Sequence, residues 1–297
     1  MAPPTGAESH HATFLHLHLA DLSAVYAAAE QGPPELPEPE RAALRDRYAR
    51  GRRRTQAQAS RLLVRAVLSR ATGRPAHRVP VVTDADGRPR LAGPPTRWPH
   101  FSVSHDSGLL ALVLGTGPSG IDVEDTHEDA LREVAHRFCG DADGALLCEP
   151  DGARHLWAAK ESVAKALGRG LRAGLSTIHF TGHPGRQWAE ATWRGRPAGL
   201  RTRVADLGGR HLAVTAATVP AAVRLSWWTP HRAGTDGRWE LRPSASTHAG
   251  PLVIDDINGI DINGGSQWTD RHCTPPSTRS PANTGRSPST SRPTRCR

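Results

Sequence analysis

Residues 120–124 read GIDVE, and an extended chain here turns Ile121 and Val123 to one side and Asp122 and Glu124 to the other. The stretch follows a Gly/Pro/Ser turn and divides the sequence into two parts with the same rhythm. Immediately before it, FSVSH (101–105) and LLALVLG (109–115) read as strands. After it, helical sequence around 128–138 and 154–168 leads to strands STIHF (176–180) and HLAVTAA (211–217). The pattern predicts an α+β protein of two similar-sized halves, residues 12–118 and 119–229, meeting near Pro118.

The first half opens on TFLHLHL (13–19), a half-buried strand with Leu15, Leu17 and Leu19 on one face and His16 and His18 on its polar face. Two histidines at this spacing could ligate a metal, but a polar strand face is the simpler reading. The Pro-rich QGPPELPEPE (31–40) leads into helical sequence from about Pro39. A second helix carries Leu62, Leu63, Ala66 and Val67 and stops at Gly73, before a short strand VPVV (79–82) and a turn at Asp86-Gly87. Beyond about Thr229 the pattern fails, and the Ser/Thr/Pro/Arg-rich RHCTPPSTRSPANTGRSPSTSRPTRCR has almost nothing to bury. Residues 230–297 are therefore expected to be a low-complexity, disordered tail.

Composition narrows the class. With 37% hydrophobic and 23% charged residues the chain is an ordinary globular one. The N-terminal MAPPTGAESHH lacks an apolar signal core, and the longest apolar run, Leu109 to Leu114, is far too short to span a bilayer, so a cytoplasmic location is expected. Cys139, Cys148, Cys273 and Cys296 contain no C-x-x-C pair, which argues against a disulfide framework or a zinc site. The net charge of +9 is concentrated in Arg41 to Arg54, where seven arginines face one aspartate, and favours acidic partners or phosphates.

Lysine occurs only at Lys160 and Lys165, within WAAKESVAKALGRG (157–170), in a chain otherwise charged by arginine. Leu156, Ala159, Val163, Ala166 and Leu167 share one helical stripe, Glu161 and Lys165 share the opposite face at i, i+4, and Gly168 and Gly170 supply a stop. A solvated Glu–Lys pair on an amphipathic helix is the plain reading. The chemical one starts at GIDVE, where two carboxylates held side by side repel unless a cation or a proton relieves them. Mg²⁺ takes one or two carboxylates and fills its octahedron with water and phosphate oxygens. Glu161 would add a third ligand or a general base, and Lys165 a mobile charge for a phosphate. SVSHD places Ser104 and His105 at a strand end, where side chains commonly enter a cleft. No G-x-S-x-G accompanies them, so a hydrolase triad has no support.

Taken in order, FSVSHD, GIDVED and WAAKESVAKALGRGL resemble the signature of the 4'-phosphopantetheinyl transferases. The resemblance covers roughly residues 13–220. It includes SRLLVRAVLSRATG (60–73) and GRPRL (87–91), with Arg88 where the family has lysine. Two consecutive halves point to the Sfp-like branch, whose fold relates them by a pseudo-two-fold axis. The implied reaction moves the phosphopantetheine arm of coenzyme A to a serine of an apo acyl or peptidyl carrier protein, releasing adenosine 3',5'-bisphosphate. Asp122, Glu124 and Glu161 would hold Mg²⁺, with Glu161 or a water on the metal taking the serine proton. Lys165 would neutralise the migrating phosphate. Ser104, His105, Arg88, Arg41 and Lys165 would bind coenzyme A. The resemblance further implies a monomer serving carrier proteins of acidic surface, without a membrane or nucleic-acid partner. Two other readings stay open on the residues alone: a basic nucleic-acid-binding protein without catalysis, and another Mg²⁺-dependent phosphoryl enzyme such as a nuclease.

Overall fold

Leucines at every second position put Phe14–Asp21 into an extended strand, β1, and bury Leu15, Leu17 and Leu19 on one face. The opposite face is also covered, which corrects the expectation of a half-buried strand. His18 is 4% exposed and accepts a hydrogen bond from Trp228 Nε1 at 3.0 Å, while His16 bonds Ser226 Oγ at 2.7 Å. The computed structural model describes residues 14–49, 51–84, 88–93, 100–106, 108–207, 209–220, 222–233, 238–244 and 248–252. All of these belong to one unit, Met1–Ile262. The expected Asp86-Gly87 turn lies outside the described residues.

Two sheets carry the architecture. The first runs β12 (Arg238–Pro243), β11 (Ala222–Ala233), β1, β5 (Leu109–Gly115), β4 (His100–His105), with β13 (His248–Leu252) also on β11. Its β1–β11 pair is parallel, and its other pairs are antiparallel. The second is antiparallel throughout, in the order β6 (Ser119–Glu124), β10 (Arg210–Ala216), β9 (Arg196–Leu207), β8 (Ala189–Trp193), β7 (Ile178–Thr181). β2 (Val81–Thr83) and β3 (Pro89–Leu91) form a small separate pair.

Period-two alternation stacks the layers. Leu17, Leu109 and Val113 of the first sheet meet Ile121, Leu212 and Val214 of the second in one buried cluster. On the outer face of the first sheet, Leu110 and Leu112 pack under α1 (Leu22–Gln31) and α3 (Arg52–Thr72), which stops at Gly73 as its sequence indicates. α2 (Glu38–Arg47) is tied to α3 by Arg65 on Glu40. On the outer face of the second sheet, α6 (Gly152–Ala166), which follows the short α4 (Glu128–Glu133) and α5 (Gly144–Leu147), lays Ala158 and Ala159 on Val204 and Ala213. The order is helix, sheet, sheet, helix, which bears out the mixture of helices and sheets expected from the sequence.

The chain changes sheets between β5 and β6, beside Pro118, but returns to the first sheet at β11. The tail expectation is therefore corrected for residues 230–233, 238–244 and 248–252: β11 runs to Ala233, and β12 buries Trp239 and Leu241 at 2% and 4% exposure. Arginines and Pro230 among their residues mask the apolar alternation that would mark them as strands. Residues 253–297 lie outside the described residues.

Candidate active site

Helix α6 owes its position to two neighbours. The Glu128 carboxylate, at the start of α4 (Glu128–Glu133), accepts hydrogen bonds from the Ala153 and Arg154 N–H groups at 3.0 Å each. This satisfies donors that a helix N-terminus leaves unpaired. Gly120 on β6 lets the helix come close, because a Cβ at that position would lie 1.9 Å from the Ser162 carbonyl oxygen. Gly120, Asp122 and Glu124 share this face of the strand, so the close approach sets Asp122 against the last turn of α6.

Lys165 Nζ donates to Asp122 Oδ1 at 2.6 Å and to Ser104 Oγ at 2.9 Å, and Ser104 Oγ donates to Asp122 Oδ1 at 2.8 Å. Glu161 Oε2 stands 3.8 Å from the same ammonium. Burial, reinforced by the negative charge of Asp122, pushes the Glu161 carboxyl up to about 7, with Lys165 acting in the opposite sense. His105 faces the same cleft, where desolvation and then the Lys165 ammonium hold its imidazole below the usual value. The cleft has a volume of about 860 Å³ and is lined by Ser104, His105, Asp122, Glu124, Glu161 and Lys165, among others. Residues from β4, β6 and α6, spread from position 104 to position 165, thus share one concave surface.

Other expected residues are placed differently. Glu124 lines the cleft, but its carboxylate accepts from the Thr126 N–H at 2.6 Å. Arg88 lines a second cavity of about 420 Å³ that also includes Lys165. Arg41 lines neither cavity, because its guanidinium is turned along α2 to Glu38 at 2.5 Å. The arginines on the main cleft are Arg47 of α2 and Arg61 of α3, neither singled out by sequence. Arg47 belongs to the basic segment, but a charge run does not show which of its side chains faces inward. Arg45 also pairs with Glu38, so part of that segment's charge is met within its own helix.

Lys160 serves another purpose. It is 0% exposed, and its Nζ donates to Asp143 Oδ2 at 2.6 Å, Phe138 O at 3.0 Å and Leu175 O at 3.2 Å. Three acceptors satisfy three ammonium protons, so this lysine is a buried tie rather than a reacting group.

Among the described residues no group of three or more His, Cys, Asp or Glu side chains is gathered closely enough to hold a metal ion. Asp122, Glu124 and Glu161 do line one cleft, and the charges of Asp122 and Glu124 both raise the Glu161 pKa. Carboxylates suit a hard divalent cation in chemistry, but the three are not gathered as a ligand set here, and Lys165 relieves the charge of Asp122. No helix among the described residues is long and apolar enough to cross a membrane.

Residues 118–217 match the family model of the 4'-phosphopantetheinyl transferase superfamily. The chain is 30% identical over 128 residues to the 4'-phosphopantetheinyl transferase Sfp of Bacillus subtilis (strain 168), covering 41% of this chain and 56% of that protein. It is 28% identical over 122 residues to the 4'-phosphopantetheinyl transferase psf-1 of Bacillus pumilus, covering 39% of this chain and 52% of that protein. The chain thus spans about half the length of each of these relatives. The match includes β6 and α6, whose carboxylates and Lys165 line the cleft, so over this region the chain is similar to the 4'-phosphopantetheinyl transferases.

Proposed function

We propose that the protein transfers the 4'-phosphopantetheine arm of coenzyme A to a serine hydroxyl of an apo acyl or peptidyl carrier protein. The observation that carries this reading is the meeting of Ser104, Asp122, Glu161 and Lys165 at one cleft, with Lys165 within 2.9 Å of both Ser104 and Asp122. In the reaction the serine oxygen bonds to the phosphorus bearing the pantetheine. The bond from that phosphorus to the bridging oxygen breaks, and adenosine 3',5'-bisphosphate leaves. The Glu161 carboxylate takes the serine proton. The Lys165 ammonium moves from Asp122 onto the phosphate in transit, as its flexible stem permits. Asp122, Glu124 and Glu161 would hold Mg²⁺, which supplies charge neutralisation at the pyrophosphate. Ser104 and His105 at the end of β4, with Arg88 on the adjoining cavity, bind coenzyme A phosphates. Arg47 and Arg61 suit that role better than Arg41, which is held by Glu38.

The same reading extends to a cytoplasmic monomer serving carriers of acidic surface, with a pseudo-two-fold axis relating its two sheet-and-helix parts. Its test is mass spectrometry of apo acyl and apo peptidyl carrier proteins after incubation with the protein, coenzyme A and Mg²⁺. The mass of one phosphopantetheinyl group should be gained on the carrier serine, and Asp122→Ala should abolish the gain while the protein stays folded. No gain on either carrier overturns the reading.

A further inference from the structure

The cleft draws its residues from both sheets. Ser104 and His105 end β4 of the first sheet, whereas Asp122 and Glu124 lie on β6 of the second, with Glu161 and Lys165 on the helix that covers it. β4 is also the last strand of its sheet, paired along β5 on one side only. Ser104 meets the second sheet through Asp122 and Lys165, and the Lys165 bond is given up when that ammonium moves to a phosphate.

A tie that uses none of these groups stands one residue further on. Asp106 Oδ1 accepts from the Gly108 N–H at 2.7 Å and the Leu109 N–H at 2.6 Å, which leaves Oδ2 to face Arg210 Nε at 3.1 Å. The last contact is an ion pair and not an aligned hydrogen bond, because neither of these buried atoms has a hydrogen-bonding partner. The Asp106 side chain is 3% exposed and that of Arg210 19%, so salt screens the pair weakly. Arg210 opens β10, beside His211, whose partner across the strands is Glu124. Its guanidinium also lies on Gly108, where a Cβ would be 2.3 Å from Nη2. Gln56 of α3 donates to Asp106 O at 3.0 Å, and the Leu22 N–H at the start of α1 donates to Gly108 O at 2.9 Å. Those two bonds hold the turn to the helices over the first sheet, and the Arg210 contact holds it to the second.

We propose that Arg210 and Asp106 are a positioning pair for coenzyme A: by fastening the turn after β4 to the second sheet, they set Ser104 and His105 at the right distance from Asp122 and Lys165. This rests on the transferase reading above. Neither residue lines the cleft, so both act through Ser104 and His105. A phosphate-bearing donor that must meet groups from both sheets at once is held well only while the two sides keep their spacing, and a shift of about 1 Å is enough to weaken it.

The test measures transfer to an apo carrier protein as a function of coenzyme A and of carrier, with calorimetric binding of coenzyme A alongside, at a temperature where each variant is folded. Arg210→Met should raise the KM for coenzyme A by about tenfold and weaken its binding equally, with the KM for carrier unchanged within about twofold. Arg210→Lys keeps a cation for Asp106 and should recover most of the loss. Gly108→Ala leaves both charged groups in place but pushes the flexible end of Arg210 aside, at little cost to the fold, and should raise the KM for coenzyme A as well. It carries the test where Arg210→Met, which strands a buried carboxylate, fails to fold. A KM for coenzyme A within about twofold of wild type in either folded variant overturns the proposal. So does an equal rise in the KM for carrier, a loss that Arg210→Lys does not relieve, or failure of the wild type to bind coenzyme A. Coenzyme A binding by the wild type without transfer, weakened in Arg210→Met and Gly108→Ala, overturns the transferase reading and leaves the positioning pair standing.

Discussion

Lys160 and Lys165 lie five residues apart on α6 and meet opposite surroundings. Lys160 is sealed in, with Asp143 and two carbonyl oxygens around its ammonium. A guanidinium is larger and needs more partners, which explains lysine in a chain otherwise charged by arginine. Lys160→Ala leaves the Asp143 carboxylate buried without its cation and should cost about 3–5 kcal/mol, read as a lower urea midpoint. Lys165 instead reaches the cleft and is 24% exposed. Lys165→Arg keeps charge and helix propensity, so melting should stay near wild type. Turnover should fall about tenfold or more, about 1.4 kcal/mol of transition-state stabilisation. A rate within about twofold of wild type would show that only charge is needed there.

At the scale of elements, the site depends on how closely α6 sits on β6. The Ser162 carbonyl occupies the space a side chain at position 120 would need, and a methyl group placed there must push the helix outward. Gly120→Ala should therefore destabilise by about 1–3 kcal/mol or more, as overpacking does, and lower the melting temperature. The same displacement would draw Lys165 away from Asp122, so transfer should fall further than stability alone explains. Loss of stability without loss of transfer at a temperature where the variant remains folded would separate packing from positioning.

Across the whole molecule the first sheet is completed from the far end of the sequence, because β11 lies between β1 and β12. Truncation after Thr229 removes β12 and the buried Trp239 and Leu241, and should abolish cooperative unfolding. Truncation after Leu252 removes residues 253–297, Ser/Thr/Pro/Arg-rich from Arg271 on, and should leave the melting temperature unchanged. The melting curves of the two variants decide where the folded unit ends. Buried histidines add a pH dependence. Burial, then the nearby Arg224 and Arg70 charges, pushes His16 down to about 4. His155 is pushed to about 4 by burial and its neighbours His211 and His183, with Asp151 opposing and Arg154 assisting. Between that value and the ordinary 6.5 the unfolded chain binds protons that the folded one does not. Stability is therefore fully present above about pH 6.5 and declines as pH falls towards 4. Urea midpoints measured from pH 7.5 to 4.5 should drop through that window, and His155→Gln should make the drop shallower.

Local pattern sufficed wherever the chain alternates or repeats over a few residues. The strands of FSVSH, LLALVLG and GIDVE, the helix carrying both lysines and the stop at Gly73 were all legible, because periodicity and glycine act within one element. Ser104, Asp122, Glu161 and Lys165 were legible as chemistry-bearing residue types, but their meeting was not. It depends on a glycine that admits a helix, on a capping glutamate from another segment and on two sheets stacked through their leucines. The covered face of β1, the return of β11 to the first sheet, the pairing of Arg41 with Glu38 and the burial of Lys160 were tertiary outcomes for the same reason. Each is decided by what distant segments place against a residue, and its immediate neighbours in sequence carry no record of that.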